Sequence, residues 1–295
     1  MTAIVHLPER RPRMKPYDRA RPEEPSMPAP RTVLLTGAAG GLGTLMRGLL
    51  PPYGYRLRLL DQRPIEDAPD AITADLADKE ALREAVRGVD AIVHLAGISL
   101  EAPFEKILRA NIEGTYNLYE AAREAGVRRV VFASSNHAVG FTPRPADGSG
   151  AIPVDTPRRP DTYYGLSKGF GEDLASLYWD LHGIETVSVR IGSCFPRPTT
   201  VRMLSIWLSP ADGARLLHAA LTAEGVGHTV VYGSSANTRL WWDLTTARSL
   251  GYEPQDDSEP YAAELIAAHG ELDPANPEHA HLGGAFCVDP PIWPY

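Results

Sequence analysis

From residue 32 to residue 191, short apolar runs alternate with amphipathic segments, and no other feature constrains the fold of this chain as strongly. Strand-length runs fall at residues 32–36, 55–60, 91–95, 129–134 and 186–191, with a further short strand just before Asp75. Between them, residues 42–50 read as a helix stopped by Pro51 and Pro52, 79–86 as an amphipathic helix, 104–125 as a long helix ending at Gly126, and 164–182 as another. Such alternation predicts an α/β fold: a doubly wound parallel sheet with helices on both faces and ligands at the carboxyl ends of the strands. Beyond Ile191 the pattern loosens, with helices expected at 201–208, 210–222, 242–250 and 261–269, one strand at 229–232 and a proline-rich tail. The expected division is a dinucleotide-binding domain over 31–191 and a small C-terminal substrate-binding or lid part over 192–295. Residues 1–30 carry seven prolines and little apolar periodicity, so they read as an extension that is poorly ordered or lies on the surface.

With 43% hydrophobic and 22% charged residues the chain has the composition of a globular protein. No apolar run approaches the ~18 residues of a membrane span. The first thirty residues hold no apolar core followed by a cleavage site, which makes the cytoplasm the expected compartment. A net charge of −8 removes long-range attraction for nucleic acid or an anionic membrane, so an anionic ligand must be held by local groups. Cys194 and Cys287 are too few for a disulfide framework, and His279 and His281 lack further ligands, so reduced thiols and no metal are expected.

Gly37, Gly40 and Gly43, with Leu42 among them, follow a strand and open a helix. Glycine there permits a tight turn, close approach of backbone N–H groups to a pyrophosphate, and close packing of helix on strand. The next strand ends in Asp61, where a carboxylate accepts both ribose hydroxyls of an adenosine and repels a 2′-phosphate. NAD is therefore favoured over NADP, although Arg63 lies nearby. Asp75 and Leu76 stand where they flank the adenine, and Leu95, Ala96 and Gly97 are small enough to let the cofactor pass. His94 beside them reads as a core histidine.

Tyr164 and Lys168, four apart on one helix face, place a phenol beside an ammonium. Twelve tyrosines and four lysines would give roughly 0.16 such pairs by chance. A phenol with pKa near 10 is a poor base at neutral pH, but an adjacent ammonium and a cationic nicotinamide both favour its ionised form. Ser134 and Ser135 end the preceding strand, and one of their hydroxyls is placed to hold a reacting oxygen.

The glycine loop, Asp61, the serine after the fifth strand and the Tyr164/Lys168 pair resemble the extended short-chain dehydrogenase/reductase superfamily, a Rossmann-type fold, over residues 32 to about 290. The resemblance implies that Tyr164 is the base, that Lys168 lowers its pKa and binds the nicotinamide ribose, that Ser135 orients the substrate and that Asn111 supports the active-site backbone. It also implies a homo-oligomer built on the helix of Tyr164.

A second set of segments, at 97–99, 132–137, 190–194, 202–205, 237–243 and 283–286, is similar to uronate dehydrogenases, which implies oxidation of glucuronate or galacturonate at the anomeric carbon to an aldarolactone. The substrate's chemistry fits: a planar cation, Arg202, suits the C6 carboxylate in a bidentate pair, and Ser99, Ser135, Asn136, His137 and Ser193 supply partners for hydroxyls. His137 is alternatively a second base. Phe286 caps the nicotinamide or the sugar, or simply packs; Trp241 and Trp242 read as packing. A nucleotide-sugar epimerase or dehydratase is the alternative enzyme, but only about a hundred residues follow Ile191 to hold a nucleotide diphosphate. A non-catalytic dinucleotide sensor would have no need of Tyr164 and Lys168.

Overall fold

The computed structural model describes residues 31–145 and 151–294; the N-terminal extension expected over 1–30 lies outside them. The chain runs β1 (Thr32–Thr36), α1 (Gly41–Leu49), β2 (Arg56–Asp61), β3 (Ile72–Thr73), α2 (Lys79–Val86) and β4 (Ala91–His94), then α3 (Phe104–Ile107), a π-helical turn (Leu108–Glu113) and α4 (Gly114–Ala125). It continues through β5 (Arg129–Ser135), a 3₁₀ turn (Asn136–Val139), α5 (Tyr163–His182), β6 (Glu185–Ile191), β7 (Ser193–Cys194), α6 (Met203–Ile206), β8 (Trp207–Leu208), α7 (Pro210–Thr222) and β9 (His228–Gly233). Short helices α8 (Thr245–Ser249), α9 (Ala262–His269) and α10 (Pro277–Ala280) complete it.

Seven strands form one parallel sheet in the order β3-β2-β1-β4-β5-β6-β9. Successive side chains alternate faces, so Val33 and Leu35 join the cluster under α1 and α7, whereas Leu34 joins the one under α2, α4 and α5. Both faces are dry, which is why the strands read as continuous apolar runs. Fully burying one such aliphatic side chain contributes about 1.5–3 kcal/mol. The winding direction reverses between β1 and β4, and the loops leaving those strands part there to open a crevice at their carboxyl ends.

The structure departs from the sequence reading where tertiary contacts override local pattern. The expected long helix is interrupted by the π turn at Leu108–Glu113. The expected helix at 201–208 is only α6, because Trp207 and Leu208 pair with Ser193 and Cys194 in a second small sheet. The helix expected at 242–250 shrinks to α8, because Trp242 is held extended in a bridge to Ile152 and stacks on Tyr232 at 4.4 Å. Residues beyond 191 also complete the main sheet: β9 pairs with β6 along its length, and Ala214, Leu217 and Leu221 of α7 join the core beneath it. Trp241, Trp242, Leu244 and Leu282 pack a separate small core with Val139 and Ile152, and Ala262 and Leu265 of α9 pack another with Val201 and Leu204.

Candidate active site

The turn after β1 is as tight as chain geometry allows. Gly37 adopts φ +71°, and a Cβ on it would stand 2.7 Å from the Ala96 nitrogen; a Cβ on Gly43 would stand 2.1 Å from the Gly37 oxygen. Only glycine lets the β4 loop and α1 close on the turn in this way, with Gly40 leading into the first turn of α1 and Leu42 within it. Asp61, buried at the end of β2, accepts from the Ala39 nitrogen and from the Arg63 nitrogen, both at 2.9 Å, while Arg63 Nη2 donates to the Ala39 oxygen at 2.6 Å. The carboxylate is thus clamped at the rim of the crevice. A glycine turn closed so tightly on its own backbone, leading into a helix N-terminus, with an acid at the end of the second strand, fits the adenosine and pyrophosphate of a dinucleotide.

Asp75 is exposed, accepts from the Ala77 nitrogen and faces Arg109 at 3.8 Å, whereas Leu76 is buried under Gly114. Leu95, Ala96 and Gly97 line the loop after β4, with Ala96 donating to Thr36 Oγ1 at 3.3 Å. The π turn carries Asn111: its Oδ1 accepts from the Ile98 nitrogen at 2.7 Å, and its Nδ2 donates to the Ile98 oxygen and to Ser167 Oγ, both at 2.9 Å. Asn111 therefore ties the β4 loop to α5. His94 meets Thr36 and Thr115 through its two ring nitrogens, and burial drives its pKa down to about 3. It is a core histidine.

Thr162 caps α5, accepting from the Gly165 nitrogen, and the helix delivers Tyr164 and Lys168 to the crevice. Both are buried. Burial pushes the Tyr164 phenol up to about 12, its hydrogen bond with Ser135 opposes that rise, and the Asp161 carboxylate adds to it. Lys168 sets its ammonium 5.5 Å from the Tyr164 ring centre and donates to the Ala133 oxygen at 2.8 Å, and burial lowers its own pKa to about 8. The two serines separate in role. Ser134 donates to Glu172 at 2.6 Å inside the buried Glu172–Arg190 ion pair, and Ser135 is the one beside Tyr164.

At the other end, Arg202 Nε and Nη2 donate to the Leu282 oxygen, Nε at 3.0 Å; with the Asn136 amide assigned the orientation that satisfies both its neighbours, its Oδ1 accepts from Arg202 Nη2 at 2.9 Å and its Nδ2 donates to the Ile191 oxygen at 3.0 Å. Among the described residues no carboxylate lies within ion-pair reach of this guanidinium, and Nη1 has no hydrogen bond. The backbone carbonyl thus holds one edge of the fork that the sequence reading assigned to a ligand. Burial lowers the Arg202 pKa to about 10. His137 stacks on Phe286 at 3.8 Å and lies 5.7 Å from the Tyr164 ring. Ser99 is exposed on the β4 loop and Ser193 is buried on β7; among the described residues neither side chain bonds to this cluster.

Two acids went unread in the sequence. Asp161 binds His137 Nδ1 at 2.6 Å, and Glu101 accepts from the Tyr164 nitrogen at 3.1 Å. The Glu101 backbone also pairs with the tail at Pro291 and Trp293, and Trp293 packs on the Tyr164 cluster with Ile98 and Phe286. The aspartate and threonine before α5 signal a helix start, but nothing local signals these contacts.

A sheet wound in this order, with a glycine cradle, an acid after the second strand and a buried tyrosine and lysine on one helix, defines a class. The family model described as "NAD dependent epimerase/dehydratase family" matches residues 33–203, and the chain belongs to that family. Within it the chain is an oxidoreductase, similar along most of its length to uronate dehydrogenases. The uronate dehydrogenase of Pseudomonas syringae pv. tomato is 51% identical over 264 residues, covering 88% of this chain and 94% of that one. The crystal structure of uronate dehydrogenase from Agrobacterium tumefaciens aligns with a TM-score of 0.82 at 46% identity, covering 88% of this chain and 97% of that one. A tyrosine-to-alanine mutant from the same organism, complexed with NAD, aligns with a TM-score of 0.82 at 45% identity, covering 90% and 99%.

Proposed function

We propose that the chain oxidises a hexuronate, glucuronate or galacturonate, at C1 to the aldarolactone with NAD as cofactor. The observation that carries this reading is Arg202: a half-buried guanidinium with no carboxylate within ion-pair distance among the described residues, Asp161 acting on it from farther off, and joined through Asn136 to the segment that meets Tyr164. It calls for an anionic substrate, and the uronate dehydrogenases it resembles support which one.

In this reading Gly37, Gly40, Leu42 and Gly43 hold the pyrophosphate, Asp61 the adenosine ribose, Asp75 and Leu76 the adenine, and Leu95, Ala96, Gly97 and Asn111 the passage to the nicotinamide. Bound NAD supplies the hydride acceptor and a positive charge beside the phenol. Lys168 binds the nicotinamide ribose. Tyr164 takes the proton of the C1 hydroxyl, held by Ser135, as C1 loses its hydride; because the sugar ring stays closed, the product is a lactone. With Nε and part of Nη2 committed to Leu282 and Asn136, Arg202 meets the C6 carboxylate through Nη1 and Nη2. Ser99, Asn136, His137 and Ser193 take hydroxyls, and Phe286 covers the pocket beside His137. The part over 192–294 supplies Ser193, Arg202 and Phe286 to a site otherwise built by 31–191.

Purified protein with NAD and a panel of uronates, neutral hexoses and UDP-sugars, followed by absorbance of the reduced cofactor, tests this. Turnover of uronates alone is expected; turnover confined to UDP-sugars overturns it. We further propose a homo-oligomer in the cytoplasm, joined through the exposed Leu166, Leu177 and Leu181 of α5 and Tyr116 of α4. Light scattering that returns a monomer mass overturns the assembly. Among the described residues no helix is long and apolar enough to cross a membrane.

A further inference from the structure

Asp161 has no role in the chemistry above, yet the fold makes a place for it. Its side chain is wholly buried, its Oδ2 meets His137 Nδ1 at 2.6 Å, and its Oδ1 accepts from the Thr162 hydroxyl at 2.9 Å. Glycines from three other segments line its position. A Cβ on Gly140 would stand 1.9 Å from Oδ2, one on Gly283 2.1 Å from Oδ2, and one on Gly165 3.0 Å from Oδ1. None of these three adopts positive φ; at Gly140 and Gly283 the carboxylate is the nearest obstacle to a side chain, whereas at Gly165 the His137 backbone oxygen, at 2.4 Å, stands nearer still.

The imidazole is held on three sides. Asp161 takes Nδ1, Phe286 covers one ring face, and the Tyr164 ring lies 5.7 Å away; Arg202 is the other charged group acting on it. Nε2 has no hydrogen bond among the described residues, and 10% of the side chain remains exposed. Burial keeps the imidazole pKa below its usual value against the pull of Asp161, so the ring is neutral near pH 7 and carries a single N–H. A carboxylate accepts only, which leaves that proton one place to go.

We infer that Asp161 is a positioning residue: it holds His137 with Nδ1–H toward the protein, so that Nε2 meets a sugar hydroxyl as an unprotonated acceptor. The identity of the hydroxyl donor rests on the uronate reading; the orientation of the ring does not. A buried aspartate that sets the tautomer of a working histidine is the logic of hydrolytic triads, used here for recognition.

The tautomer is read directly from nitrogen-15 spectra of histidine-labelled protein, with His137→Gln identifying the signal. Protonated Nδ1 and bare Nε2 are expected in the unsubstituted protein, and a protonated Nε2 overturns the inference whatever the substrate proves to be. The second arm is a kinetic cycle with glucuronate using Asp161→Asn, His137→Gln and the double variant, each checked for retained NAD binding. If Asp161 acts through His137, Asp161→Asn lowers kcat/KM by roughly 5- to 100-fold alone and by less than about twofold in the His137→Gln background. Equal losses in both backgrounds assign Asp161 to holding the start of α5 and overturn the inference. Absence of uronate turnover in the unsubstituted protein refutes the substrate reading, and the spectra then decide the inference alone.

Discussion

Replacing Lys168 with methionine removes an ammonium that the fold buries without a carboxylate partner among the described residues. Holding that group where its pKa falls from 10.5 to about 8 costs the folded chain roughly 3 kcal/mol at neutral pH. Methionine fills similar volume without that cost, but leaves the Ala133 oxygen without its donor at 2.8 Å, a loss of about 1 kcal/mol. The cofactor-free Lys168→Met protein is therefore expected to be more stable by about 2 kcal/mol at pH 7, a rise in Tm of about 4–8 °C for a chain of this size, while losing its dehydrogenase activity. The sign follows from proton binding. Below pH 8 both folded and unfolded chains carry the Lys168 proton and the full cost applies. Between about 8 and 10.5 the folded chain has released it and the unfolded chain has not, so the stability of the unsubstituted protein climbs with pH, and above 10.5 the cost is gone. The advantage of the variant should shrink across that window and reverse at its upper end. Urea denaturation of both proteins at a series of pH values measures the gap directly, and since Tyr164 titrates in both, its contribution largely cancels. A variant less stable at pH 7, or a gap that does not move between pH 7 and 10, refutes the assignment of Lys168 as a strained, buried cation.

Tyr164→Phe should lower kcat by about 10² to 10⁴ and leave NAD affinity within about twofold, measured by steady-state rates and cofactor titration; an unchanged kcat removes the phenol from proton transfer. Arg202→Lys keeps the charge but loses the fork, and KM for glucuronate should rise with little change for NAD; an unaltered KM takes the carboxylate away from Arg202. Gly43→Ala places a methyl 2.1 Å from the Gly37 oxygen, so calorimetry should show NAD binding lost even if the variant folds. Trp242→Ala empties the centre of the C-terminal core and is expected to cost about 3–5 kcal/mol in chemical denaturation; a loss under about 1 kcal/mol would contradict its packing on Tyr232.

Sequence alone reached the alternating elements, the glycine turn, Asp61 and the spacing of Tyr164 and Lys168. Each is written locally: strand and helix periods recur every two or 3.6 residues, and a phosphate turn needs its glycines at fixed offsets. It could not reach contacts joining segments far apart in the chain. Whether residues 228–233 add a seventh strand to the sheet, whether Ser134 or Ser135 faces the tyrosine, and which edge of Arg202 remains open depend on partners that no local pattern encodes. The same holds for pKa values. Four residues of helix put an ammonium near a phenol, but burial set by α5, β5 and the tail decides that the phenol stands near 12 and the ammonium near 8. Asp161 is the plainest case: in the sequence it is an acid before a helix, and only the convergence of Gly140, Gly165 and Gly283 makes it the group that orients His137. Side-chain order along the chain sets which elements form, whereas desolvation and long-range approach, which exist only in the packed molecule, decide what its chemical groups can do.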